Sequence, residues 1–181
     1  MSQFSPEGDK QTLADYLDID KDIYPVGRLD YDSEGLLLLS NDPAINKRLL
    51  HPNSRHKKTY FVQVEGIPDE QALQSLRNGV TISAKGKRHR TQPAKVKCIP
   101  PPEWLPERHP PIRFRKNIPT SWLAIEIKEG KNRQVRKMTA AVGFPTLRLI
   151  RVAIGNIELS KLTPGSYRHL SANELPLLFA H

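Results

Sequence analysis

Four consecutive leucines, Leu36 to Leu39, close a segment that opens Val26-Gly27-Arg28-Leu29-Asp30 and runs on to Ser40-Asn41-Asp42-Pro43. A short, wholly apolar run bounded by turn residues reads as a strand buried on both faces. Such a strand belongs in the middle of a sheet, and the rest of the chain must be arranged to cover it. Asp30 then stands at the mouth of a polar loop, Tyr31-Asp32-Ser33-Glu34-Gly35, held by that strand. Loops on rigid scaffolds are where catalytic groups tend to lie. Asp30, Asp32 and Ser33 are equally good turn formers through local side-chain to backbone hydrogen bonds. On chemistry alone a plain turn and a site stand level.

The elements around this segment are short and mixed. Thr12 to Leu17 predicts a helix and Ile23 to Leu29 a strand leading to Asp30. Asn41 or Asp42 can cap a helix from Pro43 to Leu50, with proline at the first position, where its missing N–H is not needed. A strand follows over Thr59 to Glu65 with Tyr60, Val62 and Val64 on one face, then a second proline-led helix from Pro68 to Leu76, closed by Asn78-Gly79 in a left-handed cap. Ser83 to Arg90 reads as a basic hairpin tip before a strand Ala94 to Ile99. Pro100 to Pro119, rich in proline and arginine, reads as a long surface insertion. Ser121 to Lys128 alternates as a strand, and Asn132 to Val142 is helical with Val135, Met138, Thr139 and Val142 on one stripe and Gly143 as its stop. Leu147 to Val152, Ile157 to Leu159 and Tyr167 to Leu170 are short closing strands. Strands outnumber helices and hairpin-length turns join several of them, which predicts an α+β fold with a mixed, largely antiparallel sheet.

Composition bounds the partners. The 181 residues suffice for one substantial core, and 28 Lys and Arg against 19 Asp and Glu leave a net charge of +9. That balance points to a polyanion, nucleic acid first. A single cysteine, Cys98, excludes an internal disulfide; between Val96 and Ile99 it reads as a half-buried strand thiol. One cysteine and six histidines without paired spacing offer no zinc site. No apolar run approaches the ~18 residues of a membrane span and no signal-peptide pattern opens the chain, so a cytoplasmic protein is expected.

Four stretches resemble, in order, the motifs of one enzyme family: Gly27-Arg28-Leu29-Asp30 running into the leucines; Lys58-Thr59-Tyr60; Glu129-Gly130-Lys131-Asn132-Arg133-Gln134-Val135-Arg136-Lys137-Met138; and Leu149-Ile150-Arg151-Val152-Ala153-Ile154-Gly155. Leu162-Thr163-Pro164-Gly165 fits as well. They span about residues 24 to 170 and are similar to the pseudouridine synthases that modify ribosomal RNA, in the RsuA family, and to its large-subunit members without an S4 RNA-binding domain. The resemblance implies the pseudouridine synthase fold as a single domain over 1–181, with the active cleft across the middle of the sheet. Family members carry an earlier strand with an Asn-Lys-Pro segment; without it, a shortened N-terminus and a sheet trimmed at one side are expected.

The resemblance also assigns roles. Asp30, rather than Asp32, becomes the catalytic carboxylate, as nucleophile or as stabiliser of charge at C1′, with attack at the sugar and elimination both open. Arg136 becomes the cation that keeps Asp30 ionised and oriented, and Tyr60 the ring against the uracil. Among substrate-binding residues, Lys58 belongs to the Tyr60 motif. Arg133, one helical turn before Arg136, suits a phosphate. Arg28 suits the space left by a flipped uridine or a phosphate, and Leu149 suits either the base or plain core packing. No cofactor and no metal are implied. The partner implied is large-subunit ribosomal RNA, free or in an assembling particle, bound by a monomer with basic segments 54–58, 85–90 and 113–116 on flanking phosphates. A non-catalytic RNA-binding or assembly factor on the same scaffold is the rival reading.

Overall fold

In the computed structural model, residues 1–51, 54–113, 115–160 and 162–179 are described. The elements run β1 (Tyr24–Val26), β2 (Glu34–Gly35), β3 (Leu38–Ser40), α1 (Pro43–Leu50), β4 (Lys58–Glu65), α2 (Glu70–Asn78), β5 (Thr81–Ala84), β6 (Lys87–Arg90), β7 (Lys95–Ile99), β8 (Thr120–Ile127), α3 (Gln134–Ala141), β9 (Thr146–Ile154) and β10 (Ile157–Glu158). Short 3₁₀ turns lie at Leu13–Asp15 and Leu175–Phe179.

The main sheet has the order β10-β9-β4-β8-β7, with β2 added to β9. All its pairings are antiparallel except β2 on β9. The alternation of β4 explains its central place. Tyr60, Val62 and Val64 turn to one face, where Leu73 and Leu76 of α2 and Val135 and Met138 of α3 complete the main core. Phe61 turns to the other face, with Trp122, Ile150 and Val152, under the 100–119 segment. Met138, Leu123 and Leu76 are fully buried, and truncating any one to alanine would cost about 2–5 kcal/mol. The fold class is therefore the α+β, largely antiparallel one expected.

Local chemistry accounts for the helix starts. Asp42 accepts from the Ala44 N–H at 2.7 Å with Pro43 leading α1, and Asp69 accepts from the Ala72 N–H at 2.8 Å to start α2. Elsewhere the structure departs from expectation. The leucine run is not one central strand: Leu36 leaves β2, and Leu38 joins β3, which pairs only with β1. The break falls at Leu36-Leu37, just after Gly35, whose φ of +101° turns the chain as it leaves β2. The helix expected at Thr12 to Leu17 shortens to one 3₁₀ turn. Gly79 has positive φ but ψ of 149°, an extended exit rather than a left-handed cap. Cys98 is exposed, since β7 is an edge strand and runs past the helix that covers Val96. Tyr167 to Leu170 forms no strand.

Candidate active site

The acid-bearing loop is fixed at both ends. At its start the Ser2 hydroxyl accepts from the Leu29 N–H at 3.0 Å, and the Ser33 N–H closes a turn on the Asp30 carbonyl at 2.9 Å. The turn reading of this loop is therefore seen in the structure, in the same loop that carries the candidate acid. At its far end Glu34 and Gly35 pair with Ile150 and Arg151 of β9, directly across from the Tyr60–Arg151 pair of β4 and β9. That register brings the Asp30 loop to the Tyr60 side of the sheet. Gly35 permits it: a Cβ there would lie 2.3 Å from the Arg151 carbonyl oxygen.

The cations at the start of α3 reach across to this turn. Arg133 grips Asp32 with two hydrogen bonds of 2.8 Å and stands 3.8 Å from the Asp30 carboxylate. Arg136 donates to the Asp32 carbonyl at 2.7 Å and to the Ser33 hydroxyl at 3.4 Å, with the Asp32 carboxylate also at 3.4 Å. The expected Arg136–Asp30 hydrogen bond is thus replaced by an Arg133–Asp30 ion pair. The backbone explains the exchange. Arg133 has φ 51° and ψ 35°, a left-handed conformation at the N-cap of α3 that swings its side chain over the loop. Arg136 is drawn under the turn, half-buried, with its Nε unpartnered among the described residues. The Arg133 hydrogen bonds hold the Asp32 carboxyl below its usual range, while burial pulls the Arg136 guanidinium below its own.

Beneath the loop, Tyr60 and Lys58 share the inner face of β4. Burial pushes the Tyr60 phenol up, opposed by the Arg151 charge and reinforced by Asp30. Lys58 is pulled down to about 8, first by burial and then by Arg151, with Glu129 opposing. Leu149 is buried in the main core two residues from Arg151, and Arg28 is exposed beside the loop.

Two ties had no sequence signal. Glu34 holds Arg148 by a fork of 3.0 and 2.7 Å and Arg108 at 3.2 Å, tying the chain around Arg108 to the acid loop. Glu129 accepts from His89 at 2.9 Å, from the Gln92 N–H at 2.9 Å and from Gln134 at 2.7 Å, fastening the β5–β6 hairpin to the start of α3. A groove of about 2010 Å³ opens on the opposite face of the sheet, past Phe61, Trp104 and Ile150; Asp30 and Tyr60 do not line it.

A family model described as RNA pseudouridylate synthase matches residues 4–141. The chain belongs to the RNA pseudouridine synthase family. It is 53% identical over 171 residues to the ribosomal large subunit pseudouridine synthase E of Vibrio parahaemolyticus, covering 94% of this chain and 69% of that one. The protein of the same name from Xanthomonas axonopodis is 50% identical, over 91% of this chain and 85% of its own. Bacillus subtilis ribosomal large subunit pseudouridine synthase B is 36% identical, over 96% and 64%. A crystal structure of a pseudouridylate synthase superposes with a TM-score of 0.74 at 28% identity, over 94% of this chain and 66% of that one. The pseudouridine synthase fold implied by the four motifs is therefore the fold of this chain, and its members are enzymes. Among the described residues no helix is long and apolar enough to cross a membrane.

Proposed function

We propose that this pseudouridine synthase isomerises uridine to pseudouridine in large-subunit ribosomal RNA, as a single-domain cytoplasmic monomer, with Asp30 as its essential carboxylate. The observation that carries the reading is the placement of Asp30. Its carboxylate is 26% exposed, on a turn fixed at both ends, with Arg133 at 3.8 Å and the Tyr60 phenol within its electrostatic reach. A carboxylate so held has no use in gripping RNA phosphates, which it would repel.

The reaction breaks N1–C1′, turns the uracil, joins C5 to C1′ and releases the C5 proton. It is redox-neutral and, apart from a proton exchanged with water, takes no atom from a second reactant, so it calls for no cofactor. Asp30 attacks C1′ or offsets its developing positive charge. Tyr60 backs the uracil, and Leu149 packs the wall behind it. Arg133 orients Asp30, while Arg136 holds the turn that presents it. The target nucleotide must leave its stack at a cost of a few kcal/mol, and Arg28, exposed at the cleft mouth, suits the vacated space or a phosphate.

Asp30→Asn is nearly isosteric and tests this directly. Wild-type protein should release tritium from large-subunit rRNA carrying 5-labelled uridine, with chelator present. The variant should fold and bind the same RNA yet release none. Turnover by the variant near the wild-type rate would remove Asp30 from the chemistry. Absence of release by both, from naked RNA and from immature particles, would favour a non-catalytic RNA-binding role.

A further inference from the structure

Two cations lie under the Tyr60 side of the cleft without a carboxylate partner. Arg151 is 6% exposed; its Nε donates to the Leu36 carbonyl at 2.8 Å, and its Nη2 is buried with no partner among the described residues. No Asp or Glu oxygen of the described residues lies within 4.0 Å of it. Lys58 projects from the same face, its Nζ 4.0 Å from where a Cβ on Gly130 would sit, with no hydrogen bond or ion pair to a described residue. A buried charge without an anion is costly to hold. The neighbouring cations Arg133, Arg136 and Arg148 all have acidic partners.

We propose that Lys58 and Arg151 form a cationic floor that takes up the negative charge of the departing uracil. Lys58 acts by contact with a carbonyl oxygen of the base, as a catalytic residue, and Arg151 acts through the Tyr60 phenol it faces, as a positioning residue. This rests on the uridine isomerisation proposed above. When N1–C1′ breaks, the bonding pair leaves with N1, and the uracil becomes an anion with charge spread over N1, O2 and O4. Asp30 answers the electron deficiency at C1′. The ring pair at C5 then forms C5–C1′, the C5 proton passes to water, and N1 takes a proton from water in its place. Lys58 keeps its proton throughout and only donates hydrogen bonds, so the balance needs no further reactant. A group positioned where charge develops acts most strongly in a site closed to water.

The ammonium is the working form, so its loss should show in the pH profile. The charged groups that act on Lys58 are Arg151 from β9 and Glu129 from the turn after β8, and Tyr60 is its neighbour on the same face of β4. Burial and Arg151 bring Lys58 down to about 8. Single-turnover rates at subsaturating RNA, which report groups of the free protein, should therefore fall as pH rises through about 8. Lys58→Arg, which stays charged but places its donors differently, should retain only part of the activity and lose that alkaline limb.

Lys58→Met should slow isomerisation of bound RNA about 100-fold, the order for removing one preorganised donor. On RNA carrying 5-fluorouridine at the target, fluorine itself stabilises the leaving anion, and the loss in rate of glycosidic rearrangement should be clearly smaller. Equal losses on the two substrates, or an unmoved alkaline limb in Lys58→Arg, would overturn the assignment while leaving wild-type tritium release, and so the isomerase reading, intact. If Lys58→Met does not fold, the Lys58→Arg profile decides alone.

Discussion

The acid loop from Asp30 to Gly35 and the basic hairpin of β5 and β6 are both short, charged and beside the cleft, yet they are built in opposite ways. The acid loop is over-determined: a turn hydrogen bond, the Arg133–Asp32 fork, the Glu34–Arg148 fork and the β2–β9 pairing each fix it. The hairpin strands pair only with each other. Ile82 anchors them in the core, and the His89–Glu129 contact ties them to the α3 side. Lys85 and Gly86, both at positive φ, form the tip, and Lys87, Arg88 and Arg90 are exposed. The difference separates two uses of charge. A carboxylate that must meet C1′ needs a fixed position, whereas lysines and arginines that follow a phosphate backbone need reach and tolerate motion.

Breaking the rigid side should have the larger effect. Gly35→Ala places a Cβ against the Arg151 carbonyl, which cannot yield, and forces a non-glycine residue to φ of +101°. The strain should lower stability by about 1–3 kcal/mol. Displacement of the loop by about an ångström should cost roughly 100-fold in turnover. Thermal melts and tritium release read the two effects, and RNA affinity should stay near wild type because the hairpin is untouched. Full activity in this variant would show that the β2–β9 joint does not position Asp30.

Loosening the grip should do the converse. With Lys85, Lys87, Arg88 and Arg90 all changed to alanine, affinity should fall and the slope of log K against log salt should decrease by up to about 3. Turnover at saturating RNA should change little. An unaltered slope would mean the hairpin faces away from bound RNA.

The smallest effect belongs to Asp32. Its carboxyl is held below the ordinary value of 3.8 by Arg133 hydrogen bonds and then by the Arg136 and Arg133 charges. A depressed folded-state value stabilises above the unfolded pKa and is lost as pH falls through the folded one. Wild-type stability should therefore decline below about pH 4 in part through this group. Asp32→Asn should flatten that acid limb. Because the side chain is 37% exposed, the loss at neutral pH should stay below about 1 kcal/mol. A larger loss would make the Arg133–Asp32 fork a structural mainstay of the loop.

What could be read from the chain alone was whatever local physics decides. The alternation of Tyr60, Val62 and Val64 appears as the inner face of β4, the Asp42-Pro43 pair starts α1, and the stripe of Val135 and Met138 packs α3 into the core. Four ordered motifs sufficed to reach the family, the fold and Asp30 as the candidate acid. Tertiary structure decided the rest. The leucine run reads as one buried strand, but Gly35 just before it meets the Arg151 backbone from 116 residues away, and the run breaks at Leu36-Leu37. Arg133 and Arg136 sit one helical turn apart and look interchangeable on a helical wheel. Only the left-handed backbone at Arg133 turns it toward Asp30 and leaves Arg136 beneath Asp32. Arg151 carries no sign in its Ile-Arg-Val-Ala context that it is buried beside a tyrosine without an anion. Periodicity and capping act within a few residues and leave their pattern in the sequence. The partner a guanidinium finds a hundred residues away depends on strand register, which exists only once the sheet has formed.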